Sequence, residues 1–172
     1  MASLVKPSRI APGSTIGIIA PAGPPDLERL RKGTRFLKNR GYRVKVYPQV
    51  RKRLGYMAGD DRSRADALNA AFADKDISAI FCARGGFGSL RILQDVKFDI
   101  IKANPKIFVG YSDITALLLA IYEKTRMVTI HGPMPAVEFG RRLRRFTVEN
   151  FFKAMESDLP FGSIEKPAGY RI

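Results

Sequence analysis

A single cysteine, a single histidine and no apolar run of membrane-spanning length set the first limits on this 172-residue chain. One thiol excludes a disulfide framework, and Cys82, inside the apolar run Ile80-Phe81-Cys82-Ala83, reads as a buried and inert side chain. The opening Met1-Ala2-Ser3-Leu4-Val5-Lys6-Pro7 has no apolar stretch of signal-peptide length, so a cytoplasmic location is the default expectation. Acidic residues are scarce too: 16 Asp and Glu stand against 30 Lys and Arg, a formal charge of +14. Such a balance suits phosphate-rich partners. The positives are nevertheless scattered along helical stretches such as Arg29-Leu30-Arg31-Lys32 and Arg141-Arg142-Leu143-Arg144-Arg145, without the interleaved aromatics of single-strand binders. They read as a solvated face rather than a nucleic-acid surface.

What the chain does have is alternation. With 45% apolar residues and regular Gly and Pro punctuation it is a globular sequence, free of internal repeats. Ser14 to Ile19 predicts a strand closed by Ala20-Pro21-Ala22-Gly23-Pro24-Pro25, and Asp26 caps a helix that ends near Gly41. A strand from Arg43 to Tyr47, a polar loop from Pro48 to Gly59 and a helix beginning at Asp60-Asp61 follow. Ser78 to Ala83 then reads as a wholly apolar strand of a parallel sheet. A short helix to about Gln94, a strand Lys106 to Val109, a helix from Asp113 to about Lys124, a strand Met127 to His131 and a helix Thr147 to Met155 complete the pattern. The expected fold is α/β: a doubly wound, mostly parallel sheet with helices on both faces, Rossmann-like or flavodoxin-like in its three layers. The expected organisation is one domain over 1–157, with 158–172 a linker or the start of a further domain carrying an unfinished strand.

In doubly wound sheets ligands bind beyond the carboxyl ends of the strands. Three loops lie there: Ala20 to Pro25, Arg84 to Ser89, and Gly110 to Asp113. In the third, an apolar strand turns through Gly110-Tyr111-Ser112 into an apolar helix, which makes Ser112 a candidate nucleophile beside unpaired helix N–H groups. The glycines of the second loop let backbone N–H groups approach a ligand, so one donor from each loop would make an oxyanion hole. Each element also has a plainer explanation. Gly85, Gly86 and Gly88 can serve only to permit positive φ, and Ser112 can serve only as an N-cap. The loop is no phosphate cradle, because no Lys-Ser/Thr pair follows it and the dinucleotide glycine spacing is not met. Nor does Gly110-Tyr111-Ser112-Asp113-Ile114 fit Gly-x-Ser-x-Gly, since Ile114 replaces the second glycine; this argues against a standard lipase or esterase.

Arg84-Gly85-Gly86-Phe87-Gly88 and Gly110-Tyr111-Ser112-Asp113-Ile114-Thr115-Ala116-Leu117 together resemble the LD-carboxypeptidase family of serine peptidases, which includes murein-tetrapeptide carboxypeptidases and microcin-immunity peptidases. The resemblance extends through Ile18-Ile19-Ala20-Pro21-Ala22-Gly23, Tyr56-Met57-Ala58-Gly59-Asp60-Asp61-Arg62-Ser63-Arg64 and His131-Gly132-Pro133, in order over most of residues 10 to 135. It implies that Ser112 is the nucleophile, that the N–H groups of Gly86 and Asp113 are the oxyanion donors, and that neither metal nor organic cofactor is needed. The implied hydrolase activity removes a terminal D-alanine from murein peptides during cytoplasmic recycling.

Family members carry a second domain that supplies the Glu and His of a Ser-His-Glu triad, and this chain ends before it. The fragment alone is therefore expected to be hydrolytically feeble. The sole histidine, His131, matches the family's His-Gly-Pro segment instead, which implies a structural role. Leu118 stands where relatives often carry a histidine. Other readings are a Rossmann-like module that binds a nucleotide or another anion without catalysis, and a basic nucleic-acid-binding domain. A further one is a split or swapped homodimer whose partner covers apolar surface near Phe151, Phe152 and Leu159.

Overall fold

The computed structural model describes residues 3–141 and 143–164. Five parallel strands, β1 (Thr15–Ile19), β2 (Arg43–Val46), β3 (Ala79–Cys82), β4 (Ile107–Gly110) and β5 (Ile130–His131), form one sheet in the order β2-β1-β3-β4-β5. This is the flavodoxin-like order expected of a doubly wound α/β fold, and the chain reverses direction across the sheet between β1 and β3. The loops that leave these two strands, 20–25 and 83–89, border the crevice expected at that switch point.

Strand alternation divides the core into two layers. On one face, Ile80, Cys82 and Phe108 pack with Leu68 and Phe72 of α2 (Asp61–Ala73), Ile101 of α3 (Phe98–Ala103) and Leu117 and Ile121 of α4 (Thr115–Thr125). On the other, Ala79, Phe81, Ile107 and Val109 meet Leu30 and Leu37 of α1 (Leu27–Asn39) and Phe151, Phe152 and Met155 of α5 (Arg145–Glu156). Cys82 is wholly buried, as its apolar setting predicts, and burial pushes its thiol pKa up.

Helix ends follow the local sequence. The Asp26 carboxylate accepts from Arg29 N–H at 2.9 Å to start α1, and the Asp60 carboxylate accepts from Ser63 N–H at 2.7 Å to start α2. Gly41, with φ +89°, ends α1 while Tyr42 N–H donates to Leu37 O at 3.2 Å. Three expectations need correction. Residues 98–103, read as part of a connection, form α3; the segment Met127 to His131 is ladder-paired in the sheet only at Ile130–His131. Phe151 and Phe152, near which the split or swapped reading places bare apolar surface, are buried in an aromatic cluster with Phe81, Phe139, Phe36 and Tyr42, so of the three residues named only Leu159 is exposed. The unfinished strand expected within 158–172 is not formed over 158–164, and the rest of that stretch lies outside the described residues.

Candidate functional site

The chain leaves β4 at Gly110 and bends at Ser112, whose φ is +62°. A serine in this left-handed region costs roughly 1–3 kcal/mol, so the surroundings must hold it there. They do so from below. Ile114 is wholly buried and its side chain lies over Gly110, where a Cβ would meet Ile114 Cγ2 at 2.5 Å. The strained bend thus forms without the second glycine of Gly-x-Ser-x-Gly, because the side chain at 114 turns into the core while position 110 stays bare. Ser112 is exposed and caps neither the short 3-10 turn Ser112–Ile114 nor α4, which disposes of the N-cap reading.

The glycine-rich loop lies against this bend. A Cβ at Gly85 would stand 3.2 Å from Ser112 Oγ, so the absence of a side chain there is a matter of close approach. Gly86 and Gly88 have φ of +132° and +111°, and for these two the conformational explanation of glycine holds. A Cβ at Gly86 would also collide with Gly23 at 2.9 Å, and Gly23 N–H donates to Gly85 O at 3.1 Å, which joins the first loop to the second. The second loop is tied to the third by the Asp113 carboxylate, which accepts from Ser89 N–H at 2.9 Å. All three strand-end loops therefore converge. Among the described residues, the N–H groups of Gly86 and Asp113 have no internal acceptor, and no side chain bonds the Ser112 hydroxyl.

Behind the loops sits Arg64, fully buried in α2. Its Nη1 donates to Pro21 O at 2.7 Å and to Gly88 O at 2.9 Å, spanning the crevice between the loops after β1 and β3. Its Nη2 pairs with Asp61, whose carboxylate also takes a forked bond from Arg91 at 2.8 and 3.0 Å. These two arginines hold the Asp61 carboxyl below the usual carboxylate range, Arg91 most of all. Sequence reasoning missed Arg64 as a fastener, although it lies four residues before Leu68 and seven before Ala71 on the apolar face of α2.

The opposite wall comes from the segment after β5. Gly132 N–H donates to Gly110 O at 3.1 Å and Ala136 N–H to Ala83 O at 2.9 Å, which draws residues 132–139 across the strand ends. Glu138 anchors that segment: its carboxylate accepts from Tyr111 OH at 2.5 Å and from Met134 N–H at 2.9 Å. Burial first, and then the Glu138 carboxylate, push the Tyr111 phenol up to about 12. His131 is exposed at the end of β5, with its ring 5.7 Å from that of Tyr111.

The result is a cleft of about 220 Å³ lined by Ser112, Gly85 and Gly86, by Arg84, Arg29 and Asp26, and by Met134, Ala136 and Val137 from the segment after β5. Chemically it offers an exposed hydroxyl, free amide donors and two guanidinium groups. Among the described residues no group of three or more His, Cys, Asp and Glu side chains is placed to hold a metal ion. No helix among them is long and apolar enough to cross a membrane.

This chain is 44% identical over 135 residues to the probable murein peptide carboxypeptidase of Bacillus subtilis, which covers 78% of this chain and 42% of that one. It is 35% identical over 151 residues to the microcin self-immunity protein MccF of Escherichia coli, covering 85% and 44%. A solved structure of MccF in complex with aspartyl sulfamoyl adenosine superimposes with a TM-score of 0.86 at 33% identity, covering 90% of this chain and 48% of the other. The chain thus spans less than half the length of these relatives. Residues 16–132, which include all three converging loops and every strand but the first residue of β1, match the LD-carboxypeptidase N-terminal domain, and the chain belongs to that family.

Proposed function

We propose that this chain is the nucleophile-bearing part of a serine LD-carboxypeptidase that removes the terminal D-alanine from murein tetrapeptides in the cytoplasm. The observation that carries the reading is Ser112: an exposed residue held at φ +62° in the lining of a cleft, against Gly85, which has no side chain to obstruct it. Ser112 Oγ attacks the scissile amide carbonyl, and the N–H groups of Gly86 and Asp113 hold the oxyanion of the tetrahedral intermediate. The hydroxyl proton passes to a general base and then to the leaving amine of D-alanine; water afterwards releases the acyl group from Ser112.

The base is not His131 in this reading, whose ring lies tilted against that of Tyr111 at the end of β5. A histidine and its orienting carboxylate come from a further region of the kind that occupies the other half of the relatives, with 1–157 as the nucleophile domain and 158 onward leading toward that region. Without them hydrolysis falls by several powers of ten, and only oxyanion stabilisation and binding effects remain.

A second substrate class is an aminoacyl group joined to a nucleotide analogue, favoured by the likeness to MccF and its aspartyl sulfamoyl adenosine complex. The two are separated by assaying this chain, supplied with the second half of a relative in trans, for release of D-alanine from tetrapeptide and of sulfamoyl adenosine from its aspartyl conjugate. Release of D-alanine that vanishes in Ser112→Ala supports the murein reading. Turnover of the nucleotide conjugate alone overturns it.

A further inference from the structure

The cleft beside Ser112 carries more positive charge than attack on a neutral amide requires. Arg84 and Arg29 both line it, and among the described residues neither guanidinium is in a salt bridge, while Arg40, Arg64, Arg91 and Arg145 each have a carboxylate partner. Arg84 is held in place: its Nε donates to Gly85 O at 3.2 Å, the same carbonyl that takes the Gly23 N–H, so the terminal nitrogens of the fork stay available next to the loop that abuts Ser112. Arg29 projects from the first turn of α1, whose backbone is fixed by the tight contact of Gly140 with Arg29 O, where a Cβ would stand at 2.8 Å. Asp26 also borders the cleft, but one of its carboxylate oxygens is spent on capping Arg29 N–H. Met134, Ala136 and Val137, apolar side chains, line the same cleft. At about 220 Å³ the space is below the roughly 300–1,000 Å³ typical of sites for larger organic ligands.

We propose that Arg84 and Arg29 form an anion subsite that grips the negative charge of the leaving group, with the apolar lining at Met134, Ala136 and Val137 receiving a small side chain. The inference rests on the proposed function and adds to it the means by which the site selects a chain end. In a peptide substrate the anion is the carboxylate of the terminal residue, two bonds from the scissile nitrogen, and a planar guanidinium binds it by paired hydrogen bonds. In an aminoacyl sulfamoyl nucleotide the acidic nitrogen is the scissile one, and its negative charge is shared with the sulfonyl oxygens two bonds further on. Both ligands therefore place anionic oxygens just beyond the bond to be cut. An internal peptide bond presents none, so the subsite makes the enzyme a carboxypeptidase rather than an endopeptidase.

The test is binding, which needs no turnover. The chain, labelled with nitrogen-15, is titrated with murein tetrapeptide, with the same peptide ending in a carboxamide, and with aspartyl sulfamoyl adenosine, while the Arg84 and Arg29 Nε–H signals and the Gly86 amide are followed. The free-acid peptide is expected to bind at least about tenfold tighter than the carboxamide and to shift both arginine signals. In Arg84→Gln or Arg29→Gln, with an otherwise unchanged amide spectrum, that preference is expected to drop below about threefold while carboxamide affinity stays the same. Arg84→Lys should recover only part of it, because the ammonium lacks the fork. Equal binding of acid and carboxamide, or equal loss of both in the variants, overturns the subsite, as does absence of any Arg84-dependent binding among the three ligands. Arg84-dependent binding of the sulfamoyl compound alone leaves the subsite standing and overturns the murein assignment.

Discussion

Ser112 and Gly85 are in contact across two loops: a Cβ at position 85 would lie 3.0 Å from Ser112 Cβ and 3.2 Å from its hydroxyl oxygen. The glycine is there for what it leaves out. Gly85→Ala is expected to displace the Ser112 side chain or the loop by a few tenths of an ångström, at a stability cost of about 1–2 kcal/mol. Thermal unfolding and a crystal structure of the variant check this; an unmoved Ser112 with unchanged stability contradicts it.

The Arg64 fastener predicts a larger effect. Arg64→Met leaves Pro21 O and Gly88 O without their buried donor, while Asp61 keeps Arg91, and is expected to cost about 2–5 kcal/mol in urea unfolding. Gly88→Ala attacks the same joint from the other side, since its φ is +111° and its Cβ would meet Arg64 Nη1 at 2.8 Å. A double variant should therefore be less destabilised than the sum of the two. Strict additivity would show that the two residues do not act on one joint.

Asp113 has a positioning task beside any role of its N–H group. Its carboxylate holds Ser89 N–H, so Asp113→Ala should raise the hydrogen-exchange rate of the Ser89 amide by about tenfold or more and cost about 1–2 kcal/mol. Asp113→Asn keeps an acceptor oxygen and should show a smaller change in both. Unchanged exchange at Ser89 in the alanine variant would refute the link.

Three tyrosines predict the alkaline limit. Burial and the neighbouring carboxylates raise the pKa of Tyr111 from 10.0 to about 12, and raise Tyr42, bonded to Glu156, and Tyr47, bonded to Asp74, further still. The folded state favours the protonated phenols, so the stability they contribute is whole below pH 10 and, for Tyr111, is lost as pH rises from 10 through 12. The melting temperature should fall over that interval, and less steeply in Tyr111→Phe. An equal slope in both proteins contradicts the assignment.

Much of this architecture was legible in the sequence because the signals were local. Asp26 and Asp60 before apolar-periodic runs, the apolar Ala79–Cys82 strand and the glycines at 41 and 86 each dictate their own surroundings. The three loops could be placed together because parallel strands bring their carboxyl ends to one edge. What could not be read depended on distant partners. Arg64 looks like a solvated charge until Pro21 and Gly88 are brought to it from 43 and 24 residues away. Glu138 lies in a segment without periodicity, yet it fixes Tyr111. Phe151 and Phe152 looked like a face awaiting a partner, because the aromatic residues that cover them come from α1, β3 and residue 139 of the same chain.

The central claim is that Ser112 is the nucleophile. It is tested most directly by trapping the acyl-enzyme: the chain, completed in trans with the second half of a relative, is mixed with murein tetrapeptide, quenched in acid and examined by peptide mass mapping. The expected result is a tripeptidyl ester on Ser112 with stoichiometric release of D-alanine, both lost in Ser112→Ala. An ester at another residue, or undiminished D-alanine release by the alanine variant, would contradict it.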